Sequence, residues 1–203
     1  LSLLDAIELL KKSNGGKGKL IAGTSSAKPA NVLIIGGGIV GINAMQMSLG
    51  LGAKTTLLDV NSDTLSKIKE SYPSVNIAES SKSVIESILP TVDIIVGAVL
   101  TPGGKPPTVI TKEMLKLMEP KTILSDVSVD QGGCFETSKP TTHDKPTYLV
   151  DDIIHYCVKN IPSAVPFTAT NALNEATRPF ILKFANSGLN GMFNDNNLSL
   201  IHI

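Results

Sequence analysis

The sequence predicts an α/β protein built on a doubly wound parallel sheet, and three observations carry that expectation. Aliphatic runs that read as strands alternate with helical patterns along most of the chain. Several of the strands are continuous apolar runs, such as VDIIV at 92–96, which suit a sheet buried on both faces. The stretch NVLIIGGGIVGIN at 31–43 joins one such strand to a helix through Gly36-x-Gly38-x-x-Gly41, a turn that belongs to βαβ units.

The elements follow in order. Residues 2–13 read as a helix with Ser2 as its cap and Leu3, Leu4, Ile7 and Leu10 on one side; Asn14-Gly15-Gly16 ends it. A small-residue connection at 23–30 leads to a strand at 31–35, a helix at 39–50 and a strand at 54–58. A charged helix spans 62–71 and is broken by Pro73; a short strand at 75–78 and a helix at 81–89 come next. The buried strand 92–96 ends at Gly97. A helix capped by Thr111 is expected at 111–118, then a strand at 122–124 whose edge is extended by 126–130. The last strand is expected at 152–158, and a long amphipathic helix at about 168–187. The two end helices are not needed by the sheet. The expected division is therefore a connector helix at 1–14, a Rossmann-type domain at 15–166, and a second connector at 167–203 returning toward another, largely absent domain.

Composition narrows the function classes. The 203 residues suffice for one large domain or one and a half, and 42% hydrophobic content is ample for a core. Cations and anions balance at 18 each, so no net field attracts nucleic acid or anionic lipid. No apolar stretch approaches a membrane span and no signal peptide is read, which points to a cytoplasmic protein. Cys134 and Cys157 lack metal-ligand spacing, so reduced thiols and no metal site are expected. Arg178 is the only arginine. Gripping a carboxylate substrate favours arginine's planar fork, so either lysines do that job or the gripping part lies elsewhere.

The glycine turn carries specific chemistry. Gly36 permits a tight turn off the strand, Gly38 lets backbone approach a pyrophosphate, and Gly41 lets the helix pack closely on the sheet. The helix N-terminus directs unpaired N–H groups and its positive dipole end at the phosphates. Asp59 lies eighteen residues beyond Gly41 at the end of the next strand. A carboxylate there accepts hydrogen bonds from adenosine ribose hydroxyls and repels a 2′-phosphate, favouring NAD(H) over NADP(H). The alternative is a glycine-rich turn with no ligand; strand, helix and terminal acid in their places argue against it.

Three further loops follow strands. Residues 97–105 (GAVLTPGGK) are small enough to let backbone approach a flat ligand, or form an ordinary Gly/Pro loop. In SDVSVDQGG at 125–133, Asp126 and Asp130 stand beside two glycines. They read equally as acid–base groups or as turn carboxylates capping backbone amides. The third is VKNIP at 158–162. His155, in an apolar strand, reads as structural, and His143 as a loop residue.

Taken together these stretches resemble the alanine dehydrogenase family. The resemblance covers nearly all of 15–188 and rests on GGKG, IIGGGIVGINA, LLDVN, IVGAVLTPGGKPP, SDVSVDQGGCFETSKPTTHDKPTY and YCVKNIPSAVPFTATNALNEAT. The related proton-translocating transhydrogenase has a similar domain whose equivalent loop usually lacks DQGG. The resemblance implies NAD as cofactor and reversible oxidative deamination of L-alanine to pyruvate and ammonium, by a homo-oligomer that is commonly hexameric. It implies a pyrophosphate site at Gly36, Gly38 and Gly41 with Ile39 and Val40 between them, and a ribose contact at Asp59. It further implies Ser80 near the adenine, Leu100 and Val127 lining the cofactor site, Asp130 as acid–base group beside the nicotinamide, and Asn160 and Ile161 as cofactor contacts. Where the family can place a lysine at the far side of the ribose pocket, this chain has Thr64. The family's substrate-binding arginine and lysine and its catalytic histidine belong to an N-terminal segment outside this sequence, which fits the single arginine; LSLIHI at 198–203 matches nothing expected of the family. Two other readings remain at this stage: a non-catalytic NAD(H)-binding module, and a transhydrogenase α-like subunit working with a membrane partner.

Overall fold

The structure is a computed structural model that describes residues 1–101 and 103–193; Pro102 and 194–203, with the LSLIHI run, lie outside the described residues. Two compact units divide the chain, Leu1–Ile161 and Pro162–Ile203.

The first unit is the sheet. Strands β1 (Asn31–Ile35), β2 (Lys54–Asp59), β3 (Asn76–Glu79), β4 (Ile94–Gly97), β5 (Ile123–Asp126), β6 (Thr147–Val150) and β7 (Ile153–Tyr156) stand in the order β3-β2-β1-β4-β5-β7-β6. Neighbours pair in parallel except β6 with β7, so the sheet is mixed rather than wholly parallel. β1 is central, with Val32 opposite Thr55 of β2 on one side and Ile94 of β4 on the other. Strand order reverses between β1 and β4, and in open α/β sheets such a reversal places the ligand crevice beyond the carboxyl ends of the strands.

Alternation along β1 divides the core in two. Val32 and Ile34 join one cluster with Leu57, Ile94, Val96 and Ile123; Leu33 and Ile35 join the other with Leu58, Ile95 and Leu124. Helices α1 (Ser2–Leu9), α2 (Ile39–Gly50) and α3 (Ser62–Ser71) cover the first face through Leu3, Ala6, Met45, Leu65 and Ile68. Helix α4 (Lys82–Ile88) and a 3-10 helix at Glu113–Leu117 cover the second through Ile85, Met114 and Leu115. Helix α1, expected as a connector outside the sheet domain, thus packs into the sheet's own core. Its residue Asp5 also accepts a hydrogen bond from the Tyr156 hydroxyl at 2.5 Å.

β1, α2 and α3 have the expected bounds. Asn61 caps α3 by accepting from the Thr64 N–H, and Ser81 caps α4 by accepting from the Val84 N–H. Four local expectations change. Ser2 does not cap α1; it is buried inside the helix and Leu1 holds the cap position. Thr111 caps nothing, and the expected helix is a 3-10 helix preceded by Lys112, whose N–H donates to Glu136 Oε2 instead. The stretch 126–130 does not extend β5; the chain turns there into a 3-10 helix at Val129–Gln131. β6 was not expected. It is joined to β7 by Asp151 and Asp152, both left-handed with φ of 48° and 62°, the two-residue turn that tight hairpins need.

The amino-terminal ends of β1 and β4 carry a charge cluster built by the GGKGKL segment. The Asp93 carboxylate, fully buried, accepts from Lys19 Nζ at 2.8 Å, Lys17 Nζ at 3.1 Å and the Asn31 N–H at 2.9 Å. Burial alone raises a carboxyl pKa; here the Lys19, Asn31 and Lys17 contacts outweigh it and hold Asp93 below the usual carboxylate value. A depressed folded pKa contributes stability that is present above the unfolded value of about 3.9 and lost as pH falls through the folded one. Acid unfolding below pH ~4 is therefore expected to be steeper in this chain than in its Asp93→Asn variant, which starts less stable at pH 7; equal acid limbs by circular dichroism count against the role.

The second unit is dominated by α5 (Pro166–Phe193), interrupted at Gly188, where φ 63° and ψ −175° are not helical. The break falls where the sequence placed the end of the helix. Phe167, Leu173, Ile181 and Leu182 of α5 are exposed.

Candidate dinucleotide site

β1 ends at a turn that only glycine accommodates. Gly36 has φ 109°, and a Cβ on it would lie 2.4 Å from the Ala98 carbonyl oxygen. A Cβ on Gly41 would lie 1.8 Å from the Gly36 carbonyl oxygen, so α2 sits directly on the turn. Gly38, by contrast, has nothing within 4 Å of where its Cβ would stand. It is the N-cap of α2 and offers no side chain to satisfy the first amides; the first intrahelical bond at this end runs from Ile42 N–H to the Gly38 carbonyl. The N–H groups of Ile39, Val40 and Gly41 are thus left to a ligand at an open, positively poled helix end. Open space at Gly38 with unsatisfied amides beside it fits a pyrophosphate.

Asp59 stands at the end of β2, beside the glycine turn. Its Oδ2 accepts from the Gly37 N–H at 2.5 Å and its Oδ1 from the Asn61 N–H at 2.8 Å. The carboxylate is thereby fixed at the end of β2 while staying partly exposed. The Ser80 N–H donates to the Asp59 carbonyl at 2.8 Å, which brings Ser80 beside the same spot. The Thr64 methyl lies 3.1 Å from where a Cβ on Gly37 would stand. Exposed aliphatic side chains rim the crevice: Ile39 at 84%, Val60 at 77% and Leu100 at 63%.

The other half of the edge comes from the loops after β4 and β5, and these are tied together. Ala98 N–H donates to Ile35 O, Val127 N–H to Gly97 O, and Ser128 Oγ to Val99 O at 2.6 Å. Leu100 and Val127 stand on this pair of loops. The two aspartates of SDVSVDQGG take different roles. Asp126 is fully buried and accepts from the Ser128 N–H (2.9 Å), the Cys134 N–H (2.9 Å), Ser138 Oγ (2.5 Å) and Cys134 Sγ (3.4 Å). It holds both ends of the loop, and the turn-carboxylate reading applies to it. Asp130 is exposed on the 3-10 helix that the loop carries, and its Oδ2 accepts from the Asn160 N–H at 3.2 Å. That contact joins the β5 loop to the β7 loop; Asn160 is held at φ 51°, and Ile161 is buried against Tyr156 and Val158.

His155 and the two cysteines belong to the packed interior. His155 is buried; its Nδ1 lies 3.1 Å from the Ile153 carbonyl, which can only accept, so Nδ1 carries the proton and Nε2 accepts from Thr137 Oγ1 at 2.7 Å. Burial holds its pKa below the usual imidazole value, against the pull of the Ile153 carbonyl and Asp126. The ring stacks on Tyr148 at 4.9 Å between centroids. Cys134 and Cys157 are free, buried thiols, and burial followed by the Asp126 carboxylate pushes Cys134 far above the ordinary thiol value. His143 is exposed in its loop. Sequence reasoning missed Ser128 as the tie between loops; no spacing rule marks such a serine.

The family model for the C-terminal domain of alanine dehydrogenase/PNT matches residues 2–201. The chain belongs to that family. It is 48% identical to an alanine dehydrogenase of Halomonas elongata over 180 residues, covering 88% of this chain and 48% of that protein. It is 44% identical to alanine dehydrogenase 2 of Staphylococcus aureus over 191 residues, covering 93% of this chain and 51% of the relative. Among solved structures, an L-alanine dehydrogenase superposes with a TM-score of 0.91 at 40% identity, covering 96% of this chain and 54% of the other. A transhydrogenase from Sinorhizobium meliloti, at 18% identity and TM-score 0.66, shares the fold. The chain thus spans about half the length of the relatives it matches. Membership in this family agrees with the alternating strands and helices, the glycine turn and the DQGG loop. Among the described residues no helix is long and apolar enough to cross a membrane.

Proposed function

We propose that this chain supplies the NAD(H)-binding part of an alanine dehydrogenase, which interconverts L-alanine with pyruvate and ammonium in the cytoplasm as a homo-oligomer. One observation carries the reading: the glycine turn with its open helix end, Asp59, and the Asp130–Asn160 pair all stand along one edge of one sheet. The amides of 39–41 bind the pyrophosphate, and Asp59 orients the adenosine ribose and disfavours a 2′-phosphate. Leu100 and Val127 flank the nicotinamide half, and Asp130 holds or moves a proton beside it. The nicotinamide, when bound, supplies the hydride acceptor. The substrate-gripping groups are assigned to the part of the relatives that this chain does not span.

The test is a fluorescence titration of the chain with NADH and NADPH, run beside an assay of alanine-dependent NAD reduction. Saturable NADH binding is expected, at least about tenfold tighter than NADPH, with the gap narrowing in Asp59→Ala. NADPH binding as well as NADH would sink the cofactor preference. Restored to a complete enzyme, Asp130→Asn is expected to bind NADH and lose most turnover, on the order of 100-fold or more. NADH binding without activity in the complete enzyme favours a non-catalytic module.

A further inference from the structure

We infer that Lys105 is an anion-binding residue at the nicotinamide end of the site, its ammonium taking a phosphate or carboxylate oxygen of the bound reactants. The inference rests on the reading of the site as a dinucleotide site. Three observations carry it. The root of Lys105 is fixed: the preceding turn is closed by the Gly104 N–H donating to Thr101 O at 3.1 Å, and the following residue, Pro106, is buried. Its stem has a seat: Lys105 Cε, Cγ and Cδ lie 3.2, 3.3 and 3.5 Å from where a Cβ on Gly132 would stand. Gly132 has φ 105° and ends the 3-10 helix that carries Asp130, so its backbone favours glycine, and a side chain there would press on the lysine stem. The ammonium is unused: among the described residues no hydrogen bond or ion pair reaches it, and the side chain is exposed, while Asp130 is engaged with the Asn160 N–H.

A cation whose stem is laid against a loop, and whose charged end is left without a partner, is arranged for something that arrives later. The amides at 39–41 serve the anion at the β1 end of the crevice. Lys105 stands on the β5 side of the strand-order reversal, where the second half of a dinucleotide extends. Two sources present anionic oxygens there, the nicotinamide-side phosphate and the carboxylate of a 2-oxo acid.

The experiment is an NADH fluorescence titration of the chain alone and, with and without pyruvate, of the chain restored to a complete enzyme, for the unaltered protein, Lys105→Met, Gly132→Ala, the double variant, and Lys116→Met as a control that removes one exposed charge elsewhere. Met keeps much of the stem and removes the charge. If the phosphate is the ligand, Lys105→Met weakens NADH about tenfold without pyruvate, the scale of one charge-assisted hydrogen bond. If the carboxylate is the ligand, NADH affinity alone holds and its response to pyruvate is lost. In either case Gly132→Ala acts in the same direction, the double variant is less than additive, and Lys116→Met changes neither quantity. Unchanged NADH affinity and unchanged pyruvate response in Lys105→Met overturn the inference and leave the dinucleotide reading standing. Failure of the unaltered chain to bind NADH removes the reading and the inference together.

Discussion

Replacing Asp126 by alanine is expected to destabilise the chain by about 4 kcal/mol, because the buried donors that converge on its carboxylate would lose their acceptor together. The Ser128 and Cys134 amides and the Ser138 hydroxyl all point at this one group, which is fully buried. For a chain of this size the melting temperature falls by about 12 °C. Asp126→Asn is expected to recover only part of the loss, since an amide NH2 group faces donors where the carboxylate had an acceptor. The loop that Asp126 fastens carries Asp130, so NADH binding weakens along with stability even though Asp126 does not reach the crevice. Thermal melts and NADH titrations of both variants check this. A melting temperature within 3 °C of the parent, on the order of 1 kcal/mol, would show the hub to be dispensable.

Gly41→Ala and Gly38→Ala are expected to part company, although both alter the same motif. At Gly41 the new methyl would stand 1.8 Å from a backbone oxygen, so α2 must move off the turn. A loss of about 3 kcal/mol follows, as for an overpacked core, and dinucleotide binding is lost with it. At Gly38 the methyl enters open space with φ at an ordinary −75°, and the free chain loses less than about 1 kcal/mol, the scale of a poorer cap. The same methyl occupies the ground the pyrophosphate needs, so NADH affinity is expected to drop on the order of 100-fold. Melting curves and titrations of the two variants make the comparison. Tight NADH binding by a stable Gly38→Ala protein would contradict the placement of the phosphates.

Where sequence and structure agree, the local signal was chemical as well as periodic. The bounds of β1, α2 and α3 follow from a glycine turn, an Asn cap and a run of aliphatics, each of which constrains the backbone by itself. The disagreements lie where tertiary contacts decide. Residues 111–118 have helical spacing, yet Ile110 bridges to Phe135 and the Lys112 amide goes to Glu136, which leaves room only for a 3-10 helix. β6 was hidden because Asp151-Asp152 contains no glycine, the usual mark of such a turn. The end helix α1 read as a connector because its apolar face had no visible partner in sequence; the sheet supplies one. Within the site, spacing treated Asp126 and Asp130 alike, and burial separates them. The seat of Lys105 on Gly132 joins two loops some way apart in sequence and leaves no trace in either alone.

The fastening of the β5 loop has a consequence for how such a protein can change. Both ends of the loop are fixed to a single carboxylate at the sheet, through Ser128 on one side and Cys134 on the other. Between them Val129 is buried and Gly132 and Gly133 hold left-handed backbone, whereas Asp130 and Gln131 are exposed and free of that duty. Such a segment can be exchanged as a cassette: a substitution inside it alters what the site does, while the frame that carries it stays folded. New reactions on this sheet are most easily reached by variation between the two fasteners.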